Sequence, residues 1–168
     1  MSDTESDAPL TRESILENEP DLLNGLLLAA EARDEKTVTV EIERRDQVVF
    51  RFRVHGVAQS TRERCWEDAT TYQRNRQFGG MKVREDTNST LYNGLLIYEA
   101  TTDEDRARLW DNDAAQRAVL KEGKDLNRHR RAAALIEACL NAGEKEAVLA
   151  KIDELSGFGK ELEDTVGK

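Results

Sequence analysis

Two runs of alternating residues constrain this chain more than any other feature. In TVTVEIE, Val38, Val40 and Ile42 fall on one face and Thr39, Glu41 and Glu43 on the other. In VVFRFRV, Phe50, Phe52 and Val54 face away from Arg51 and Arg53. The polar group Arg44, Arg45, Asp46 and Gln47 lies between them. Two such runs joined by a short polar segment predict a β-hairpin. A hairpin alone is marginal in water, so its apolar face needs a cover. The remaining patterns read as helix, so helices must supply that cover.

Those helices can be placed from their periodicity and their caps. Pro20 opens the first, where its missing N–H costs nothing. Leu22, Leu23, Leu26 and Leu27 then recur at helical spacing. Ser60 and Glu63 form a capping-box pattern before STRERCWEDATTY, which sets Cys65, Ala69 and Tyr72 on one face with Trp66 beside them. QRNRQFGGMKVRED breaks the pattern, and Gly79–Gly80 marks a loop. Asn88 or Ser89 caps STLYNGLLIYEAT, a helix apolar nearly all round and therefore central to the core. Thr102 and Asp105 repeat the capping pattern before RARLW, and Asp113 and Gln116 before AAQRAVL, which Gly123 ends. RAAALIEACLNAG presents Ala132, Leu135, Ile136, Cys139 and Leu140 to a core, with Gly143 as its C-terminal cap. EKEAVLAKIDELSGFG follows, with Val148, Ile152 and Leu155 on one face. Gly157 and Gly159 end it, and Phe158 folds back on the last helix pair.

The expected fold is α+β, mostly α: an N-terminal β-hairpin packed on a bundle of about five helices, with a helical N-terminal extension. Residues 1–36 read as a flexible acidic tail and an apolar helical arm, residues 37–158 as one domain, and residues 159–168 as a loose tail. A length of 168 residues suits one domain with a real core.

Charge and chemistry narrow the function classes. The formal net charge is −9, which repels nucleic acid and anionic lipid. Cys65 and Cys139 sit in apolar helical patterns and read as reduced core thiols. No stretch approaches a transmembrane length, and MSDTESDAPL is neither a signal nor a transit peptide, so a cytoplasm is the expected compartment. His55 and His129 lack companions at ligand spacing, so no metal is expected. No nucleophile elbow is present, and FGGM lacks the Gly-Lys-Ser/Thr of a phosphate loop. With 34 acidic residues, carboxylate pairs arise by chance. No cofactor and no catalysis are expected.

Two segments carry a choice of readings. KDLNRHRR at 124–131 is the one basic cluster noted; without interleaved aromatics it reads as a solvated helix face rather than a phosphate contact. Leu22, Leu23, Leu26 and Leu27 either dock as core or form a detachable amphipathic arm that touches a neighbour. They are the candidate partner-binding residues.

The stretch ALIEACLNAGEKEAVLAKIDELSGF resembles the closing helix pair of the XkdN-like phage tail assembly chaperones. The shared features are an apolar helix, the Gly143–Glu144 turn, a second helix and Leu155–Ser156–Gly157–Phe158. LYNGLLIYEAT resembles the family's helix that ends in Ala-Thr, and TVTVEIERRDQVVFRFRV with the capped helix after it matches the N-terminal half. The resemblance spans about residues 37 to 158. It omits the leucine stripe, and it diverges between Trp110 and Asn127, where the family often has a proline-containing turn. It implies a holdase for the tail tape measure protein, acting in the host cytoplasm in many copies and leaving before the virion matures. Self-association and the tail tube protein are further candidate contacts. Two other readings stay open: a structural tail or head–tail connector component, and a small nucleic-acid-binding regulator acting through residues 124–131, against which the acidic balance argues.

Overall fold

A computed structural model describes residues 19–75, 77, 79–120 and 126–158. The chain divides into two units between Glu35 and Lys36. The first contributes helix α1 (Glu19–Glu35), with Pro20 in its first turn. The second contains β1 (Thr37–Arg44), β2 (Gln47–His55), α2 (Gln59–Asp68), β3 (Thr70–Asn75), β4 (Met81–Thr87), α3 (Ser89–Ala100), the short turn α4 (Asp103–Asp105) running into a π-helical turn (Arg106–Trp110), α5 (Asp113–Leu120), α6 (Arg128–Cys139) and α7 (Ala142–Leu155). The fold is α+β and mostly α, as the sequence predicts.

The first hairpin is the one its alternation requires. β1 and β2 pair antiparallel, with Val38 opposite Val54, Val40 opposite Phe52 and Ile42 opposite Phe50. A two-residue loop joins them, and both Arg45 (φ 51°) and Asp46 (φ 62°) adopt the left-handed conformation. That conformation matches the right-handed twist of a hairpin. Ile42, Phe52 and Val54 are buried with Ile97, Tyr98, Trp110, Leu135, Ile136, Val148 and Ile152. The hairpin's apolar face therefore rests on α3, α6, α7 and the π turn. Trp110 meets Phe52 edge-on at 5.3 Å and Phe50 at 6.0 Å. Its indole N–H donates to the Thr101 hydroxyl (3.0 Å), which itself donates to the Ile97 carbonyl. A buried indole N–H without an acceptor is costly, so this chain of donors fixes the ring.

α3 is as central as its composition suggests: Leu95, Leu96, Ile97, Tyr98 and Ala100 are all buried. Gly94 lets it approach α6. A Cβ there would stand 3.0 Å from the Ala133 Cβ and 3.1 Å from its carbonyl oxygen. Leu95 and Ala133 join Cys65 and Ala69 in a second buried cluster that seats α2.

Several local expectations are corrected. The segment from Thr70 to Thr87 is a second antiparallel hairpin, β3–β4, in place of a helix end and a loop. α2 stops at Asp68, and Thr70, Thr71 and Tyr72 suit a strand better than another helical turn. Gly79 and Gly80 both have positive φ, a conformation that tight turns between strands demand. Ser60 and Glu63 form no capping box, because α2 begins at Gln59 with Ala58 at its N-cap. Thr102 makes no side-chain cap. Asp105 turns instead to the Arg53 backbone N–H (2.7 Å) and guanidinium, so a distant partner outcompetes the local one. Asn112 rather than Asp113 caps α5, accepting from the Ala115 N–H, while Gln116 is buried and donates to the Trp110 carbonyl. Gly143 lies inside α7 rather than capping α6, because Asn141 and Glu144 form a full capping box that starts the helix earlier. Phe158 is exposed, under the Arg62 guanidinium of α2 at 4.6 Å, and does not fold onto the last helix pair. Asn88 caps α3 as anticipated, accepting from the Leu91 N–H. Gly123 and Gly159 fall outside the described residues.

Candidate partner-binding surface

The four candidate leucines lie on α1, and all are exposed, from 46% at Leu22 to 61% at Leu26. Their spacing (i, i+1, i+4, i+5) puts them on one face. Leu28 is exposed as well, at 65%, and falls on a different side, near Asp21 and Asn24. Sequence periodicity passed over it because it is out of phase with the stripe. Each exposed leucine leaves apolar area in water that contact with an apolar partner would remove, at about 25 cal/mol per Å².

The second unit carries exposed apolar groups of its own. Trp66 and Tyr72 are partly exposed where α2 meets the second hairpin. Tyr72 donates from its hydroxyl to Glu67 (2.6 Å), the Arg84 guanidinium lies 5.1 Å from the Trp66 ring, and Trp66 meets Tyr92 edge-on at 5.2 Å. These contacts tie one face of β3–β4 to α2. On the opposite face Met81 and Val83 are exposed at 67% and 41%. No reading of the sequence singled these residues out. Their one signal was the alternation in MKVRED, obscured because charged residues occupy both faces.

The titratable groups are arranged for structure. Arg44 donates to both oxygens of Glu144 (2.7 and 2.6 Å) and to the Cys139 carbonyl. That hydrogen-bonded guanidinium holds the Glu144 carboxyl below its ordinary range despite partial burial. Asp111 accepts from the Tyr98 hydroxyl and from Arg128 (2.8 Å); burial alone would raise its pKa, but these donors hold it below the ordinary range. Arg128 of the basic cluster is thus engaged with an acid of its own chain, and Arg130 donates to the Asp68 carbonyl. His129 packs edge-on against Tyr98, and His55 contacts the Gly56 carbonyl. Both cysteines are free thiols; burial pushes Cys65 up to about 11 and raises Cys139 as well, which disfavours the nucleophilic thiolate.

A mostly helical domain with one buried hairpin, and with its exposed apolar groups on an acidic scaffold, has the features of a protein-binding protein. Residues 23–168 match the family of phage XkdN-like tail assembly chaperone proteins. The chain belongs to that family, and it is a phage tail assembly chaperone. The match reaches beyond residues 37–158 at both ends, so Leu23, Leu26 and Leu27 lie inside the family's own segment, and the stripe is not an addition to it. No curated protein and no solved structure matches the chain.

Proposed function

We propose that this chaperone binds the tail tape measure protein and keeps it soluble while the tail tube assembles around it. The observation that carries the reading is the exposed leucine face of α1, most of it within the family-matched segment. A long aggregation-prone chain is shielded by covering its apolar side chains, and Leu22, Leu23, Leu26 and Leu27 offer a helix face for that purpose. Many copies on one client need only weak contacts each, because attachment is shared along the chain. A net charge of −9 per copy keeps such an assembly soluble by mutual repulsion from other particles. In this reading the protein acts in the host cytoplasm without catalysing a reaction, and it leaves before the virion matures.

Co-expression with the tape measure protein of the same phage tests it. Soluble, co-purifying tape measure protein supports the reading, together with its loss when Leu23→Ser and Leu26→Ser are combined. Tape measure protein that stays insoluble beside a folded chaperone refutes it, and recovery of the protein from purified virions points to a structural component instead.

A further inference from the structure

The second hairpin has no partner strand on either side: among the described residues β3 and β4 form a two-stranded sheet. Such a ribbon presents unpaired backbone N–H and C=O groups along its outer edges. β4 adds Met81 and Val83 on its free face and Lys82 and Arg84 on the other, where Arg84 lies against the Trp66 ring and donates to the Thr87 hydroxyl (3.2 Å). The surrounding stretch QRNRQFGGMKVR has four basic residues and no acidic one, in a chain whose overall balance is strongly acidic. The bland reading of charged residues on an edge is protection against pairing with other strands. That protection is selective, however. β4 pairing with itself about Val83 would set Lys82 of each copy against Arg84 of the other, a like-charge juxtaposition that disfavours it. An incoming strand bearing carboxylates meets the opposite sign.

We propose that the outer edge of β4 binds an extended, acidic segment of a polypeptide by strand addition, with Lys82 and Arg84 selecting its carboxylates and Met81 and Val83 covering its apolar residues. Main-chain hydrogen bonds supply affinity in this mode, and alternate side chains supply specificity. Exclusion of basic strands is the negative half of that specificity. The inference rests on the chaperone reading only for whose segment this is, the tape measure protein's; the edge chemistry stands apart from it. Glu85 and Asp86, which close β4, and Glu67 of α2 confine the positive field to the turn-proximal half of the ribbon, where Lys82 and Arg84 stand, and so favour a short acidic segment over a long phosphate backbone.

The test uses the full chain and a fluorescent peptide of alternating Glu and Val, about eight residues long to match a strand, followed by anisotropy. Three controls are the Lys–Val counterpart, the Glu–Val peptide N-methylated at alternate residues, and a single-stranded DNA oligonucleotide. The expected result is saturable binding of the Glu–Val peptide alone, weakening with added salt. Lys82→Glu should weaken it about fivefold or more, as reversal of one exposed charge allows. N-methylation should abolish binding on the unaltered protein, since it removes edge hydrogen bonds and leaves the charges. Equal binding of the methylated or the Lys–Val peptide overturns strand addition, and stronger binding of the oligonucleotide assigns the edge to nucleic acid instead. No binding of any peptide, by a protein that still solubilises the tape measure protein, removes this inference and leaves the chaperone reading intact. Peptide binding by a protein that does not hold the tape measure protein does the reverse.

Discussion

Arg44 at the end of β1 grips both carboxylate oxygens of Glu144 in the first turn of α7, 100 residues further along the chain. Glu144 simultaneously accepts from the Asn141 N–H, and Asn141 accepts from the Glu144 N–H. One carboxylate thus starts a helix and ties it to the hairpin.

Asn141→Ala removes the side-chain half of that capping box. It should cost about 1 kcal/mol, which lowers the melting temperature by roughly 2–4 °C in a domain of this size. Differential scanning calorimetry reads the shift. Asn141→Asp should restore most of it, whereas an unchanged melting temperature in the alanine variant would mean that the cap adds nothing.

Acid should unfold the protein by a route that three carboxylates share. Glu144 is held low by Arg44, while Asp105 and Asp111 are raised by burial but lowered further by their arginine and other donors. Their folded pKa values lie below the unfolded ones, so the stabilisation is fully present above the ordinary carboxylate range. It is lost as pH falls through the folded values. Urea melts should therefore give a flat stability from pH 7 to about 5 and a decline below about 4. Asp105→Asn should flatten that acid limb.

Thr101→Val strands the Trp110 indole N–H in the core. An unpaired buried donor costs about 1–3 kcal/mol, so the variant should fold but melt at a lower urea concentration. Thr101→Ser keeps the hydroxyl and should lose less. A valine variant as stable as the parent would show that the indole N–H finds another acceptor.

The β1–β2 turn can be improved. Arg45 and Asp46 both hold a conformation that costs an ordinary L-residue roughly 1–2 kcal/mol. Arg45→Asn with Asp46→Gly supplies the residues such turns favour. The double variant should gain about 1 kcal/mol in denaturant melts.

Legibility in the sequence followed burial. β1–β2 was readable because one face is buried and one is wet, which writes an alternation into the residues. β3–β4 was not, since Met81, Val83, Lys82 and Arg84 are exposed whichever way they point, and an unburied strand has no reason to alternate cleanly. Cys65 and Ala69 gave a true helical spacing, but Tyr72 continued it by coincidence into a strand. The cap at Asn141 is written as Asn-x-x-Glu, but Gly143 inside that motif equally fits a helix C-cap, so the two signals compete. The leucine face of α1 was visible at once; Leu28 was out of phase and was not. Asp105's allegiance to Arg53 could not be read locally, because its partner lies 52 residues away.

Ile152 and Val148 of α7 close the core over Phe52 and Val54 of β2, so the first hairpin must wait for nearly the last described element. During synthesis the ribosome releases the hairpin about a hundred residues before α7, the element that completes its cover. At roughly 5–20 residues per second, that leaves the apolar sheet face incompletely covered for some 5–20 s, although α3 and Trp110 reach it sooner. A chaperone built this way is, while being made, briefly short of cover for its own apolar face.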